Sequence, residues 1–474
     1  MAGILDFTDA IGRGIQDAQS GFGELFEPVI RLGVTGLSRA GKTVFITSLV
    51  ANLLTRGRMA QLSAAREGRI LTAYLRPQPN DAVARFEYEQ HLLRMTGPDP
   101  AWPDSTRTIS QLRLSMRVRS KGLLTGLTGP RTVHLDIVDY PGEWLLDLPL
   151  LEQSYAEWSR ETIALARTAA RLGTARPWLT ALEAVEPDAP LDEPAAAALA
   201  ETFRTYLKSA RKAGFSAVAP GRFLMPGDLE GSPALTFAPL PRPDKPRSNA
   251  LYAAFERRFE SYKRIVVRPF FRDHFANIER QVVLIDALGA IHAGPQALED
   301  LRQAMAAILA CFRPGRNSWL GALLGTRVER ILFAATKADH LHHAQHDPLS
   351  SITEALLTDA RRRAEFRGAE TRAMALASLR ATVEERVRHG GETLDCVRGV
   401  LADTRREAAM YPGELPRDPT VLLAPARQGA PRWLDAEYRV MKFAPPVLSL
   451  APGDGPPHIR LDRAAEFLIG DRLA

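Results

Sequence analysis

Gly36-Leu37-Ser38-Arg39-Ala40-Gly41-Lys42-Thr43 satisfies the pattern Gly-x4-Gly-Lys-Ser/Thr at every fixed position. Before it, Val29-Ile30-Arg31-Leu32-Gly33-Val34 reads as a buried strand; after it, the Pro-free apolar run Val44 to Leu54 reads as a helix. Strand, glycine-bearing loop and helix are the context in which this pattern cradles phosphate. Backbone N–H groups converge on the anion, and the positive end of the helix points at it. In that arrangement Gly36, Ser38, Arg39, Ala40, Gly41, Lys42, Thr43 and Val44 line the phosphates. Lys42 reaches the β- and γ-phosphates, and the Thr43 hydroxyl is a Mg2+ ligand.

A second strand, Val133 to Val138, ends in Asp139-Tyr140-Pro141-Gly142. A carboxylate there reaches the metal shell, and the Gly142 N–H can sense a γ-phosphate. Asp286-Ala287-Leu288-Gly289 repeats the spacing after Val282 to Ile285. Asp139 is the preferred copy, because its strand follows a candidate switch loop, Asp104 to Thr108, and the alternating strand Leu112 to Val118, with a Gly-rich hairpin turn from Gly122 to Gly129 between the strands. Asp286 is expected to close its own strand structurally. Within the switch loop Thr106 and Thr108 are equal candidates for completing the metal shell. The third motif, Thr336-Lys337-Ala338-Asp339, ends the apolar strand Arg330 to Ala335. A carboxylate at Asp339 can accept two parallel N–H bonds from N1 and N2 of guanine, a pair that adenine lacks on that edge. Lys337 would lie along the base, and the loop at Ala377 and Ser378 offers a backbone N–H for guanine O6. Three motifs in this order, each closing a strand, are the recurring parts of a GTPase.

The chain has 474 residues, 45% of them hydrophobic, enough for two or three domains with sizeable cores. No apolar run approaches the length of a membrane span, and the opening Met-Ala-Gly-Ile-Leu-Asp-Phe lacks signal-peptide character, so a soluble intracellular protein is expected. Cys311 and Cys396 are isolated, which excludes a disulfide framework and a thiolate zinc cluster. The net charge of +6 is spread over Arg-rich segments with no compact basic stripe, which argues against nucleic acid as the partner.

The organisation expected is a nucleotide-binding domain in two parts, residues 1–144 and 279–392, split by a helical insertion at 145–278 and followed by a C-terminal extension at 393–474. The insertion carries helix-like runs at Glu152 to Leu172, Trp178 to Glu186, Pro194 to Ala213 and Ala250 to Ala276, with a Pro-rich irregular stretch from Phe215 to Ser248. Its aromatic residues, among them Phe223, Phe259 and Tyr262, are expected in the core. Ile4 to Ala18 reads as a helix, Ala64 to Asn80 as a run broken by Pro77 and Pro79, and Ser318 to Leu324 as an apolar loop. Tyr438 to Phe443 reads as a strand, and Asp462 to Ile469 as a short helix. His340, His342, His343 and His346 crowd the guanine loop; polar packing is preferred there over a metal site.

Four strings, Asp136-Ile-Val-Asp-Tyr-Pro-Gly-Glu-Trp144, Pro220-Gly-Arg-Phe-Leu-Met-Pro-Gly-Asp228, Ala335-Thr-Lys-Ala-Asp-His-Leu-His-His343 and Pro457-His-Ile-Arg-Leu-Asp-Arg463, resemble the bacterial YcjX family of stress-inducible P-loop NTPases. The likeness spans almost the whole chain. It implies an α/β Ras-like P-loop NTPase domain with a mostly parallel sheet, a large helical insertion and a small C-terminal β-containing extension. It also implies a cytoplasmic protein, with a peripheral place at the inner membrane and a membrane protein encoded alongside as its partner left open. GTP or GDP with Mg2+ is the expected ligand. Carried onto this chain, Gly36, Gly41, Lys42 and Thr43 bind phosphate and metal, Asp139 and Gly142 form the second switch, and Thr336, Lys337 and Asp339 read the base.

Two features depart from small GTPases. Glu143 stands where many have a Gln that orients the attacking water, and Ser38 puts a side chain where an external arginine would enter. Arg39 could supply a positive charge to the transferred group from within the loop. Lys42, Arg39, Thr106, Thr108, Gly142 and Glu143 are therefore the candidate catalytic residues. The expectation is a slow GTP-hydrolysing switch; a nucleotide-dependent scaffold with little turnover and an ATPase of the same fold are the alternatives.

Overall fold

In Val29–Gly36 (β1) all but the first and third residues are buried, and this strand lies inside an eight-stranded sheet. The computed structural model describes residues 27–37, 40–104, 106, 108–121, 129–272, 278–310, 328–358, 361–362, 365, 368–433, 437–451 and 453–474. Ser38, Arg39, Ser105, the expected helix at Ile4 to Ala18, most of the Gly-rich turn and the apolar loop at Ser318 to Leu324 lie outside the described residues.

From β1 the chain passes into α1 (Lys42–Thr55), then β2 (Ile70–Arg76), the two-residue β3 (Ala84–Arg85), α2 (Tyr88–Thr96), β4 (Ser110–Val118) and β5 (Arg131–Asp139). Helices α3 (Tyr155–Ala166), α4 (Ala169–Glu183), α5 (Glu193–Lys212) and α6 (Leu251–Tyr262) follow before β6 (Arg280–Ile285). Then come α7 (Ala287–Ala293), α8 (Pro295–Ala310), β7 (Arg330–Ala335), α9 (His346–Leu356) and β8 (Glu370–Ala375). The sheet order is β2-β4-β5-β1-β6-β7-β8, with β3 beside β4. Strands β5, β1, β6, β7 and β8 run parallel, while β4 and β2 are antiparallel additions at one edge. The parallel strands therefore deliver the ends of β1, β5, β6 and β7 to one rim, where ligands of open α/β sheets bind.

Period-two alternation divides the interior between the two faces of the sheet. Along β6, Val282 and Leu284 face one core and Val283 and Ile285 the other. The first core is closed by Phe45, Ile46, Leu49 and Val50 of α1 and by α11 (Leu461–Ile469), the last helix. The second joins Val138, Ile285 and Phe333 of the sheet to α3–α8 in one continuous apolar cluster. Phe223, Phe259 and Tyr262 are fully buried there, as expected. The Pro-rich stretch after α5 has only short turns, yet Phe237, Ala238 and Leu240 within it are buried.

Four sequence expectations need correction. Ala64 to Asn80 contains β2, an edge strand buried mainly on one side and ending immediately before Pro77. The run Glu152 to Leu172 is two helices, α3 and α4, parted at Arg167 and Thr168, and α4 accommodates Pro177 in its interior. Arg113, which the alternation of Leu112 to Val118 assigns to the exposed side of a half-exposed strand, instead forms a two-bond ion pair of 2.6 and 2.7 Å with Asp136, its registered neighbour across β4 and β5. Tyr438 to Phe443 is not a strand; Phe443 alone bridges Leu401.

Past β8, an antiparallel meander of β9 (Thr382–His389), β10 (Glu392–Val400) and β11 (Glu407–Met410) is followed by α10 (Thr420–Arg427) and an arm returning to α11. Phe443 of this arm packs with Ala381, just before β9, and with Val397 and Met410 of the meander. Among the described residues no helix is long and apolar enough to cross a membrane.

Candidate nucleotide-binding site

The phosphate loop turns at Gly41, whose φ of 82° lies in the left-handed region that favours glycine. Gly41 is also the N-cap of α1, so the helix begins at Lys42 with its N-terminus at the loop. The Lys42 ammonium donates to Gly36 O at 3.2 Å. The Thr43 hydroxyl lies 3.4 Å from that of Thr106, which donates to Asp139 Oδ2 at 2.8 Å. Thr108 is exposed, whereas Thr106 joins this cluster.

Asp139 is 2% exposed, and burial pushes its carboxyl up to about 6 against the pull of Lys42 and the Thr106 hydrogen bond. Its second oxygen, Oδ1, is buried without a hydrogen-bond partner among the described residues. An orphaned carboxylate oxygen beside two hydroxyls is a donor set that a hard divalent cation takes. These residues fit Mg2+.

The segment after Asp139 begins against the phosphate loop. A Cβ on Gly142 would lie 1.7 Å from Gly36 O, so only glycine permits this approach. Gly142–Asp147 then forms a 3-10 turn with every residue buried. Glu143 is 3% exposed and does not face open solvent; its Oε1 lies 2.7 Å from Arg211 Nη2, in the last turn of α5. Asp147 accepts from Gly221 N at 2.7 Å, Arg222 N at 3.4 Å and the Tyr262 hydroxyl at 2.7 Å. Burial raises the Asp147 carboxyl to about 6 despite those bonds. The Arg222 guanidinium stacks 3.1 Å from the Trp144 ring centroid, and a Cβ on Gly221 would come within 1.8 Å of Glu143 O. The helical segment is therefore seated on the Gly142–Asp147 turn by an ion pair, a shared carboxylate and a glycine contact.

At the far end of the rim, Asp339 is 4% exposed and its Oδ2 accepts from Ala381 N at 2.9 Å. Lys337, at φ 63°, is ion-paired with Asp286. Asp286 also caps α7 through Gly289 N at 3.0 Å, so the second Asp-x-x-Gly is structural, as expected. The Thr336 hydroxyl donates to Ile285 O at 3.4 Å. Ala377 N already donates to Ile459 O at 3.0 Å, and Ser378 beside it is buried.

The sequence of residues 30–473 matches the profile of the YcjX-like family, DUF463. The chain belongs to the YcjX-like family. It is 38% identical over 458 residues to the Ras-like GTPase YcjX of Escherichia coli K12, an alignment covering 94% of this chain and 96% of that one. It is 35% identical over 505 residues to the Ras-like GTPase YcjX of Shewanella oneidensis MR-1, covering 99% and 100%. The central sheet and its loops are those of a Ras-like P-loop fold with a mostly parallel sheet.

Sequence reasoning missed the seat of this YcjX-like chain's helical segment on the Gly142–Asp147 turn. A signal was available: Asp147 is a lone carboxylate within the apolar run Trp144 to Leu151, and such a group requires a buried partner. The histidine cluster divides. His346 Nε2 meets Ala338 O at 2.8 Å and His340 packs edge-on against Phe443, whereas His342 and His343 converge with Glu384, their ligand-type atoms within 4.8 Å of one another.

Proposed function

We propose that the protein is a Mg2+-dependent GTP-binding switch that hydrolyses GTP slowly. The observation that carries this reading is the meeting of Thr43, Thr106 and Asp139, with Asp139 Oδ1 left without a partner among the described residues. Mg2+, when bound, would supply charge neutralisation to the phosphates. Thr43, Thr106 and Asp139 would hold it, Lys42 and the backbone of Gly36, Ser38, Arg39, Ala40, Gly41 and Val44 would receive the phosphates, and Gly142 N–H would sense the γ-phosphate. Asp339 reads guanine, with Lys337 flanking the base once its pairing with Asp286 adjusts, and Thr336 and Ser378 shape the loop. Arg39 is assigned the added positive charge in the loop. Catalysis in this scheme is positioning and electrostatics, with water as the attacking group.

GTP then orders the Ser105 to Ile109 loop and the Asp139 to Trp144 loop, and residues 145–278 pass that order to a protein partner. The names of the relatives support the GTPase assignment, and the absence of a Gln after Gly142 supports slow turnover. A stress-associated role in the cytoplasm, with a peripheral place at the inner membrane and a membrane protein as partner left open, completes the proposal. Titration of GTP, GDP, ATP and ADP with and without Mg2+ tests it. Guanine preference with Mg2+-dependent GTP binding is expected; equal affinity for ATP would replace the guanine assignment, and tight GTP binding without turnover under any condition would favour a nucleotide-dependent scaffold.

A further inference from the structure

Glu143 poses an electrostatic problem. It is a carboxylate, almost fully buried, one residue beyond Gly142, whose backbone touches Gly36 of the phosphate loop. A triphosphate adds negative charge at that loop. Left alone, Glu143 would repel the γ-phosphate and so favour a diphosphate. Arg211 stands against it at 2.7 Å, brought there by the last turn of α5, where a cation is favoured by the helix dipole. Arg211 and Glu143 also share the wall of a cavity of about 120 Å3 with Leu37 and Ala40 of the phosphate loop and with Asp286. The charge of the helical segment and the loop that takes the phosphates thus border one small space.

We infer that Arg211 is a positioning residue that sets the preference for GTP over GDP: by neutralising and fixing Glu143 it permits the γ-phosphate, and so couples the docking of α5 to the nucleotide state. The inference rests on the guanine-nucleotide reading above and deepens it. Linkage makes the coupling reciprocal. If Arg211 on Glu143 favours GTP, GTP favours Arg211 on Glu143, and a diphosphate leaves the docked α5 without that support. Asp147 with Gly221 and Tyr262, and Arg222 on Trp144, hold the same seam by contacts that do not involve the γ-phosphate, so the segment stays attached while its Arg211 end responds.

The test is equilibrium binding of a non-hydrolysable GTP analogue and of GDP to five chains: wild type, R211A, R211K, E143Q and the double variant R211A/E143Q. Two unit charges about 6–8 Å apart at an effective dielectric near 20 repel by enough to change affinity about 30- to 100-fold. R211A should lower the ratio of analogue to GDP affinity by roughly that factor, R211K should keep most of the ratio, and the double variant should restore it because the carboxylate is gone. GDP affinity and thermal melting report whether R211A is folded, and the double variant, which buries no unpaired charge, keeps the test decisive if R211A is not. An unchanged ratio in R211A overturns the inference, as does a lowered ratio that E143Q fails to restore, since Arg211 would then act on the phosphate or the fold directly. Failure of the underlying reading is separate: wild type itself would bind neither guanine nucleotide.

Discussion

Replacing Asp147 by Asn should make the protein relatively more stable as pH rises, by an amount that the structure allows to be worked out. The carboxyl is 2% exposed and burial raises it to about 6. In the unfolded chain it titrates near 4. Below about pH 4 both states carry the proton and the group adds no pH dependence. Between about 4 and 6 the unfolded chain releases the proton first, so unfolding gains ground with every increment of pH; above about 6 the difference is constant. Two pKa units correspond to about 3 kcal/mol. Asn is neutral throughout, offers one oxygen to Gly221 N, and can donate its amide to a Tyr262 hydroxyl that has rotated to accept. The difference in unfolding free energy, variant minus wild type, should therefore rise by about 3 kcal/mol between pH 4 and 7.5. Urea denaturation at constant ionic strength without nucleotide or Mg2+ measures it, and the similar contribution of Asp139 cancels because both chains contain it. A difference flat to within about 1 kcal/mol would show that Asp147 is not held as a buried, pKa-raised carboxylate, and the description of the seam would fall with it.

Thr106→Ala should weaken Mg2+ binding in the complex with a GTP analogue about tenfold or more, in line with loss of a hydrogen bond to a charged group, whereas Thr108→Ala should not; Mg2+ titration by calorimetry compares them. Mg2+ affinity of the nucleotide complex should fall as pH drops through about 6, because protonating Asp139 removes its charge; an affinity independent of pH between 5 and 7 would contradict this. Gly221→Ala should lower stability by about 1–3 kcal/mol through overpacking against Glu143 O, read as a lower urea midpoint with unchanged slope. Asp339→Asn should lower GTP affinity and barely move ATP affinity; the opposite pattern would remove Asp339 as the base reader.

What was legible in the sequence is what depends on adjacent residues. The phosphate loop, Asp139 with Gly142, and the run Thr336 to Asp339 are contiguous strings at strand ends, and parallel strands necessarily bring those ends to one rim. The helical character of α3–α6 was likewise local, carried by Ala, Leu, Arg and Glu. Long-range contacts were not legible. Glu143 meets Arg211, and Asp147 meets Gly221 and Tyr262, across intervals in which no period or motif links the partners. That Thr106 and not Thr108 meets Thr43 and Asp139 depends on which side chain turns inward, which spacing does not dictate. Strand β2 was missed because an edge strand buried on one side, next to Pro77, has a weak alternation.

The last helix has a consequence for how the chain is made. α11 covers the sheet face carrying Leu284, Leu332 and Ala334, while Asp471 pairs with Arg280 at 2.8 Å and Phe467 O accepts from Arg330 at 2.8 Å. Every strand of that sheet is translated before α11. On the ribosome the phosphate loop and all its partners therefore emerge well ahead of the element that covers their apolar underside, and the exposed sheet must be shielded from aggregation until α11 arrives. A premature stop between residues 411 and 460 would leave a chain with every nucleotide motif intact and the sheet open, a substrate for chaperones and proteases before it could act as a switch.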